Sequence, residues 1–246
     1  MERKYAKPPI VEAVCEFRLT GDTQWDPTIP GLVYEIIRDD FPKKELKVVR
    51  DIDITQTKEG LRQEVRTTER AWFLAEDGKT FVQIGPHLLA VNYLNPYPGW
   101  ATFTPVIEKG LRALVATLDV KGLERIGLRY INRIEIPGPS VNLEQHFAFR
   151  PFLGNGLPQN MNGFVLSCLL PFADGRDLCR LGLTTAAPDR PDMAPFILDL
   201  DYFLAKPRTI SVTQALEWVE AGHQKVVDVF EGCITDRLRE TFEELR

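Results

Sequence analysis

Three arginines, Arg125, Arg129 and Arg133, recur at every fourth position within Gly122–Pro137, GLERIGLRYINRIEIP. Guanidinium forks in such a row could bind phosphate or nucleic-acid backbone. Further along, Asp199 and Asp201 stand two residues apart. On a strand that spacing puts both carboxylates on one face, about 7 Å apart along it. Together the two groups could hold a divalent cation beside an arginine-bound phosphate, the chemistry of a metal-dependent enzyme acting on a phosphorylated or nucleotide substrate. The same residues could equally neutralise one another across a sheet. Glu12 and Glu16 offer the arginines a matching four-residue spacing, and Arg129, Arg133 or Arg180 could pair with the aspartates. Ion pairing is the expected role, with no metal bound and no cofactor needed.

The remaining chemistry-bearing residues point nowhere sharp. His87, His146 and His223 are dispersed, and none has metal-ligand spacing with another His or Cys. No nucleophile elbow, P-loop or dinucleotide fingerprint occurs, and no catalytic residue is identifiable. Glu12 and Glu16, followed by Arg18, miss the E-x-E-x-K strand pattern of triphosphate-tunnel enzymes.

The arginines need an element to hold them. In Gly122–Pro137 the even positions Ile126, Leu128, Tyr130, Ile134 and Ile136 are apolar, and the odd ones carry the arginines. Period-two alternation over this length predicts a long β-strand with one buried face and one polar face. Its guanidinium groups form a row, each step advancing about 13 Å. Asn132 is the exception, an amide on the apolar face. Left unsatisfied it would cost roughly 1–3 kcal/mol, so it either pins a neighbouring backbone or is turned by a bulge to join the arginines as a fourth ligand-binding residue.

Around that strand the chain divides into two stretches, 1–119 and 120–246. Ile10–Leu19 alternates as a half-buried strand. Gly31–Phe41 reads as a helix, with Leu32, Val33, Ile36, Ile37 and Phe41 as its core positions and Pro42 as its stop. Strands are expected at Leu46–Thr57, Leu61–Ala75 and Thr80–Leu94, the last bent at Gly85-Pro86. Asn95–Trp100 then turns into a helix with Ile107, Leu111, Leu114, Val115 and Leu118 inward. After the arginine strand, Pro137–Pro158 is irregular. Strands follow at Gly163–Pro171, Leu178–Thr185 and Phe196–Leu204. A long terminal helix starts at a capping box, Ser211–Gln214, with Leu216, Val219, His223, Val226, Phe230 and Ile234 on one apolar line. The expected architecture is α+β: two β-α-β-β-β-α-like halves in one unit, a largely antiparallel sheet with helices on one side.

Composition narrows the class. The net charge of −5 lacks the basic footprint of a general nucleic-acid binder, although a local basic face stays open. The four scattered cysteines contain no C-x-x-C and read as reduced, mostly buried thiols of a cytoplasmic protein. The N-terminal MERKYAKPPIVEAV has no apolar core of a signal peptide, and no apolar run is of membrane-spanning length.

Five blocks resemble a sporadically distributed prokaryotic family of uncharacterised proteins of similar length. They are PPIVEAVCEFRL (Pro8–Leu19), YPGW (Tyr97–Trp100), RIGLRYINRIEIP (Arg125–Pro137), ILDLDYF (Ile197–Phe203) and the expected helix Trp218–Phe242. That family has no established activity, so the resemblance brings no catalytic residues. Its patchy distribution implies an accessory gene, including one of a mobile or defence-associated locus. The expectation is therefore a non-enzymatic binding or accessory protein that works with a protein partner or as a homodimer, away from membranes.

Overall fold

Residues 10–19 and 123–137 alternate buried and accessible side chains, and they become the two central strands of one sheet. The structure is a computed structural model describing residues 3–57, 60–138, 141–158 and 161–245, without the side chains of 50–66. In chain order its elements are β1 (Lys4–Tyr5), β2 (Ile10–Leu19), α1 (Ile29–Ile37), β3 (Lys43–Thr57), β4 (Gly60–Leu74), β5 (Thr80–Gly85), β6 (Leu88–Leu94) and α2 (Trp100–Thr117). They continue with β7 (Leu123–Pro137), β8 (Val165–Phe172), β9 (Asp177–Thr185), β10 (Met193–Leu204), α3 (Ala215–Cys233), α4 (Asp236–Glu240) and β11 (Glu244–Leu245).

Among the described residues, nine strands form an antiparallel sheet in the order β3-β4-β5-β6-β2-β7-β10-β9-β8. β7 lies between β2 and β10, with Ala13 opposite Tyr130 and Tyr130 opposite Leu200. Cross-strand partners share a face, so Ala13, Cys15, Phe17, Leu128, Tyr130 and Leu200 make one continuous apolar surface. The helices cover that surface. α3 packs on β7 and β10, α2 on β6, and α1 on α2. The other face bears Glu16, Arg125, Arg129, Asp199 and Asp201. β1 and β11 form a separate two-stranded sheet that ties the two ends of the chain together.

The α+β class, antiparallel sheet and long C-terminal helix match expectation. The symmetry of the halves does not follow from this topology. Thr80–Leu94 is a hairpin, not one bent strand: Gly85-Pro86-His87 reverses the chain, and β5 pairs with β6. Proline cannot donate to a ladder, and His87 takes a left-handed φ of 55°, so the run has to break there. The first stretch therefore supplies five strands to the sheet and the second four. In the second, residues 143–145 form one 3₁₀ turn where the first has α1; residues 139, 140, 159 and 160 lie outside the described residues.

Helical spacing also overstated two inward faces. Val33 and Ile37 are buried, but Leu32 and Ile36 are about half exposed, because α1 meets the core along a narrow stripe. Val115 of α2 is exposed while Ile107, Leu111 and Leu114 are buried. The capping box is present, with Gln214 Oε1 accepting from the Ser211 backbone N–H at 3.4 Å, but it opens a 3₁₀ turn ahead of α3. The terminal helix stops at Cys233, where Ile234 leaves helical geometry to bridge Phe147.

α3 is fastened to the sheet through Asp177, a wholly buried carboxylate. It accepts from Trp218 Nε1 at 3.0 Å, from the Tyr202 hydroxyl at 3.0 Å and from Arg176 Nη2 at 2.6 Å. Burial first, then the neighbouring Asp177 charge, pushes the Tyr202 hydroxyl well above the usual tyrosine range.

Asp177→Ala should strand a guanidinium, an indole N–H and a hydroxyl, lowering stability by roughly 3–5 kcal/mol in urea denaturation. An unchanged midpoint would remove Asp177 as the fastening. Because Tyr202 holds its proton more tightly folded than unfolded, its contribution is complete below the unfolded value of about 10 and is lost as pH rises beyond it. Stability should therefore fall more steeply above about pH 10 in the wild type than in Tyr202→Phe.

Candidate functional site

The two faces of β7 carry the two candidate sites, and the arginine face is closed on itself. Arg125 donates from Nη1 to Glu16 on β2 at 2.9 Å and from Nη2 to Asp201 on β10 at 2.7 Å. Its guanidinium lies over Gly127, where a Cβ would come within 2.1 Å of Nη1, and 4.7 Å from the Phe203 ring centre. Arg129 grips Asp199 with two bonds, at 2.8 and 2.6 Å, and that hydrogen bonding raises its already high pKa. Arg133 turns to Glu135 and Asp189. Glu12 accepts from Asn92 at 2.7 Å instead of meeting an arginine.

The row is thus an alternation of opposite charges across three strands. Asp199 and Asp201 each face a different arginine, and Arg180 approaches Asp201 only to 3.9 Å. Among the described residues no three His, Cys, Asp or Glu side chains are placed to hold a metal ion.

Asn132 belongs to the opposite face. It is 1% exposed, and its Nδ2 donates to the Leu198 carbonyl of β10 at 3.0 Å. Of the two expectations for this residue, pinning the neighbouring backbone is the one found. It does not join Arg125, Arg129 and Arg133; it lines a cavity of about 470 Å³ under the helix layer.

That cavity is the second candidate. Its floor is the apolar face of β7 and β10, at Tyr130, Asn132 and Leu200, and one wall is α3 from His223 to Glu231. The turn Tyr97-Pro98-Gly99-Trp100 and the N-terminal Arg3–Tyr5 and Pro8–Ile10 complete it. Trp100 stacks on His223 with centroids 4.0 Å apart and planes 6° from parallel. Tyr130 Oη lies 3.1 Å from His223 Nδ1, and Tyr97 Oη lies 3.3 Å from Tyr130 Oη. A hydrogen-bonded Tyr–Tyr–His chain thus runs through an aromatic wall. Trp100 Nε1 also donates to Glu220 at 2.8 Å, fixing the indole plane.

Tyr5 donates its hydroxyl to Glu231, whose other oxygen takes the Arg239 Nε–H at 2.6 Å. Burial, then that bond to Glu231, keeps the Tyr5 hydroxyl protonated far into alkali. The wall is therefore neutral at Glu231, the one lining carboxylate among the described residues. Aromatic walls with a few converging polar groups, at this volume, have the make-up of a small-molecule site.

The sequence placed His223 on an apolar line and Asn132 on an apolar face, and both positions hold. It gave no sign that Tyr130 and His223 meet, since 93 residues separate them. Tyr97 and Trp100 had been legible only as a turn into α2.

Compared with known proteins, the chain matches no protein-family model and no curated sequence.

The arginine pairs differ in exposure, and that decides their weight. Arg125 and its partners have side chains 10–21% exposed, whereas Arg129 and Asp199 are 46% and 29% exposed. Arg125→Ala leaves Glu16 to Arg18 alone, at 2.8 Å, and Asp201 to Arg180, at 3.9 Å, and should cost roughly 3 kcal/mol. Arg129→Ala should cost about 1 kcal/mol or less, as for other exposed pairs. Equilibrium denaturation checks the order. Equal losses, or a more stable Arg125→Ala, would mean the row is a ligand face whose charges repel.

Proposed function

We propose that this protein is a non-enzymatic binding or accessory protein and that its ligand occupies the cavity between β7, α3 and the Tyr97–Trp100 turn. The observation that carries the reading is the amide of Asn132, buried on an otherwise apolar strand face and lining an aromatic-walled cavity. Core packing alone would place an aliphatic residue there. The family resemblance, which includes the blocks bearing Tyr97, Trp100, Tyr130, Asn132 and His223, supports an accessory role, including one in a mobile or defence-associated locus. On this reading the protein acts in the cytoplasm with a protein partner or as a homodimer. Among the described residues no helix is long and apolar enough to cross a membrane.

The alternative of a metal-dependent enzyme on the arginine face draws no support from the geometry. Asp199 and Asp201 give their oxygens to guanidinium groups, which a metal or a substrate phosphate would have to displace. The net charge of −5 weighs in the same direction against nucleic acid.

Asn132→Leu provides the test. It removes one hydrogen bond to Leu198 and adds apolar packing, so the variant should melt within a few degrees of the wild type. A thermal-shift screen of small molecules should find compounds that stabilise the wild type and lose that effect in Asn132→Leu. Compounds that act equally on both, or Mg²⁺-dependent stabilisation abolished by Asp199→Asn, would move the site to the arginine face.

A further inference from the structure

Resting on the homodimer of the reading above, we propose that two copies of this chain join through β8, edge to edge and antiparallel, into one continuous sheet with Ser167 on the two-fold axis. β8 ends the nine-stranded order and has β9 on one side only. One step beyond the Val165–Thr184 pair, the Thr185 N–H donates to the carbonyl of Phe164, directly opposite, at 3.3 Å. Pairs bonded in this way alternate along an antiparallel ladder, so the even residues of β8 turn their backbone groups to β9. Val165, Ser167 and Leu169 therefore direct N–H and C=O away from the sheet, where among the described residues no strand pairs with them.

An open edge templates strand addition, and proteins guard it with charged side chains. The opposite edge, β3, has Lys43, Lys44, Glu45 and Lys47 among its described side chains. Val165–Phe172, VLSCLLPF, has no charge. Val165 is 85% exposed and Leu169 56%, and on the approach to β8 Phe152 is 87% exposed. Among the described residues no large hydrophobic side chain is more exposed than Phe152 and Val165.

The occupant that fits is a second β8, because the strand is complementary to itself. Pairing about Ser167 sets Val165 against Leu169 of the second copy, Leu169 against Val165, and Ser167 against Ser167. All three pairs are of the hydrogen-bonded kind and supply about six bonds. Pro171, which has no N–H to give, falls beyond them. On the helix-covered face, the partly buried Cys168 meets Leu166 of the second copy and Leu170 meets Phe164. The apolar surface thus runs on across the axis. Charge does not oppose the join. Arg180, the charge that β9 carries beside Leu169, would stand about 20 Å from its symmetry mate, beyond the Debye length.

Sedimentation velocity of the full chain should give a species of twice the 28.0 kDa chain mass. Leu169→Lys, at a position exposed in the single chain, should raise the dissociation constant about tenfold or more and leave the circular dichroism spectrum unchanged. Cross-linking reads the register. In Cys168→Ser chains, Ser167→Cys puts two thiols on residues whose Cα atoms lie about 5.5 Å apart, so diamide should join the copies. Val165→Cys and Leu169→Cys should each stay uncoupled alone and join when mixed. Hydrogen exchange should find the amides of Val165, Ser167 and Leu169 protected in the dimer and open in Leu169→Lys.

A monomer at about 100 μM, with those amides open, would overturn the self-pairing and leave the edge to a strand of another protein. A dimer untouched by Leu169→Lys and not cross-linked at Ser167→Cys would overturn β8 as the interface. Cross-linking of the unaltered chain through Cys168 would move the axis by one residue and overturn the register. No β8 residue lines the cavity, so the Asn132-dependent screen judges that site separately.

Discussion

The guanidinium of Arg125, lying flat over Gly127 between Glu16 and Asp201, is the contact on which the rest of the sheet depends. It joins β2 from the first stretch of chain to β10 from the second, across the strand that lies between them. Among the described residues it is the one group that bonds both carboxylates, Glu16 being held otherwise by Arg18 and Asp201 approached by Arg180. A side chain at Gly127 would expel it from the space it fills. With the charge held there, β2, β7 and β10 can run side by side in a register that aligns their apolar residues on the reverse face. The closed ion network and the aromatic-walled cavity are therefore two consequences of one strand's alternation.

That alternation also explains why the polar face is unsuited to anions as it stands. Every arginine of the row meets at least one carboxylate, so an incoming phosphate would compete with bonds already made in a partly desolvated setting. The helix-covered face has the opposite character. Its polar groups are few, and they converge: Tyr130 on His223, Tyr97 on Tyr130, and Asn132 on the Leu198 carbonyl. Stacking against Trp100 fixes the imidazole plane, and the bond to Glu220 fixes Trp100 in turn. Such a chain is held before any ligand arrives, which lowers the ordering cost of binding.

How much of this could be read from residues alone differs by distance along the chain. The strand at 123–137 and its division into faces were legible, because alternation is a local property. So was the pairing of arginines with acidic residues, since Glu16 and the two aspartates stand on strands of the same period. The specific partners were less so: Glu12 turned to Asn92, and Arg133 found Glu135 and Asp189. The β5–β6 hairpin was hidden because Gly-Pro serves a bulge as readily as a reversal. Leu32 and Ile36 show the limit of helical spacing, which marks an apolar stripe without giving the width of the surface that covers it. The cavity was invisible. It depends on a turn 33 residues before the strand and a helix 93 residues after it, and on a histidine that sequence spacing could only describe as buried.

The division of labour between the two faces of β7 is the central claim, and side-chain resonances test it most directly. With the Asn132 Nδ2–H₂ pair and the arginine Nε–H signals assigned by nuclear magnetic resonance, the chain can be titrated with a stabilising compound from the thermal-shift screen and separately with inorganic phosphate. The account predicts that the compound shifts the Asn132 pair while the Nε–H signals of Arg125 and Arg129 stay in place under both titrations. Movement of the arginine signals with phosphate, and a stationary Asn132, would contradict it.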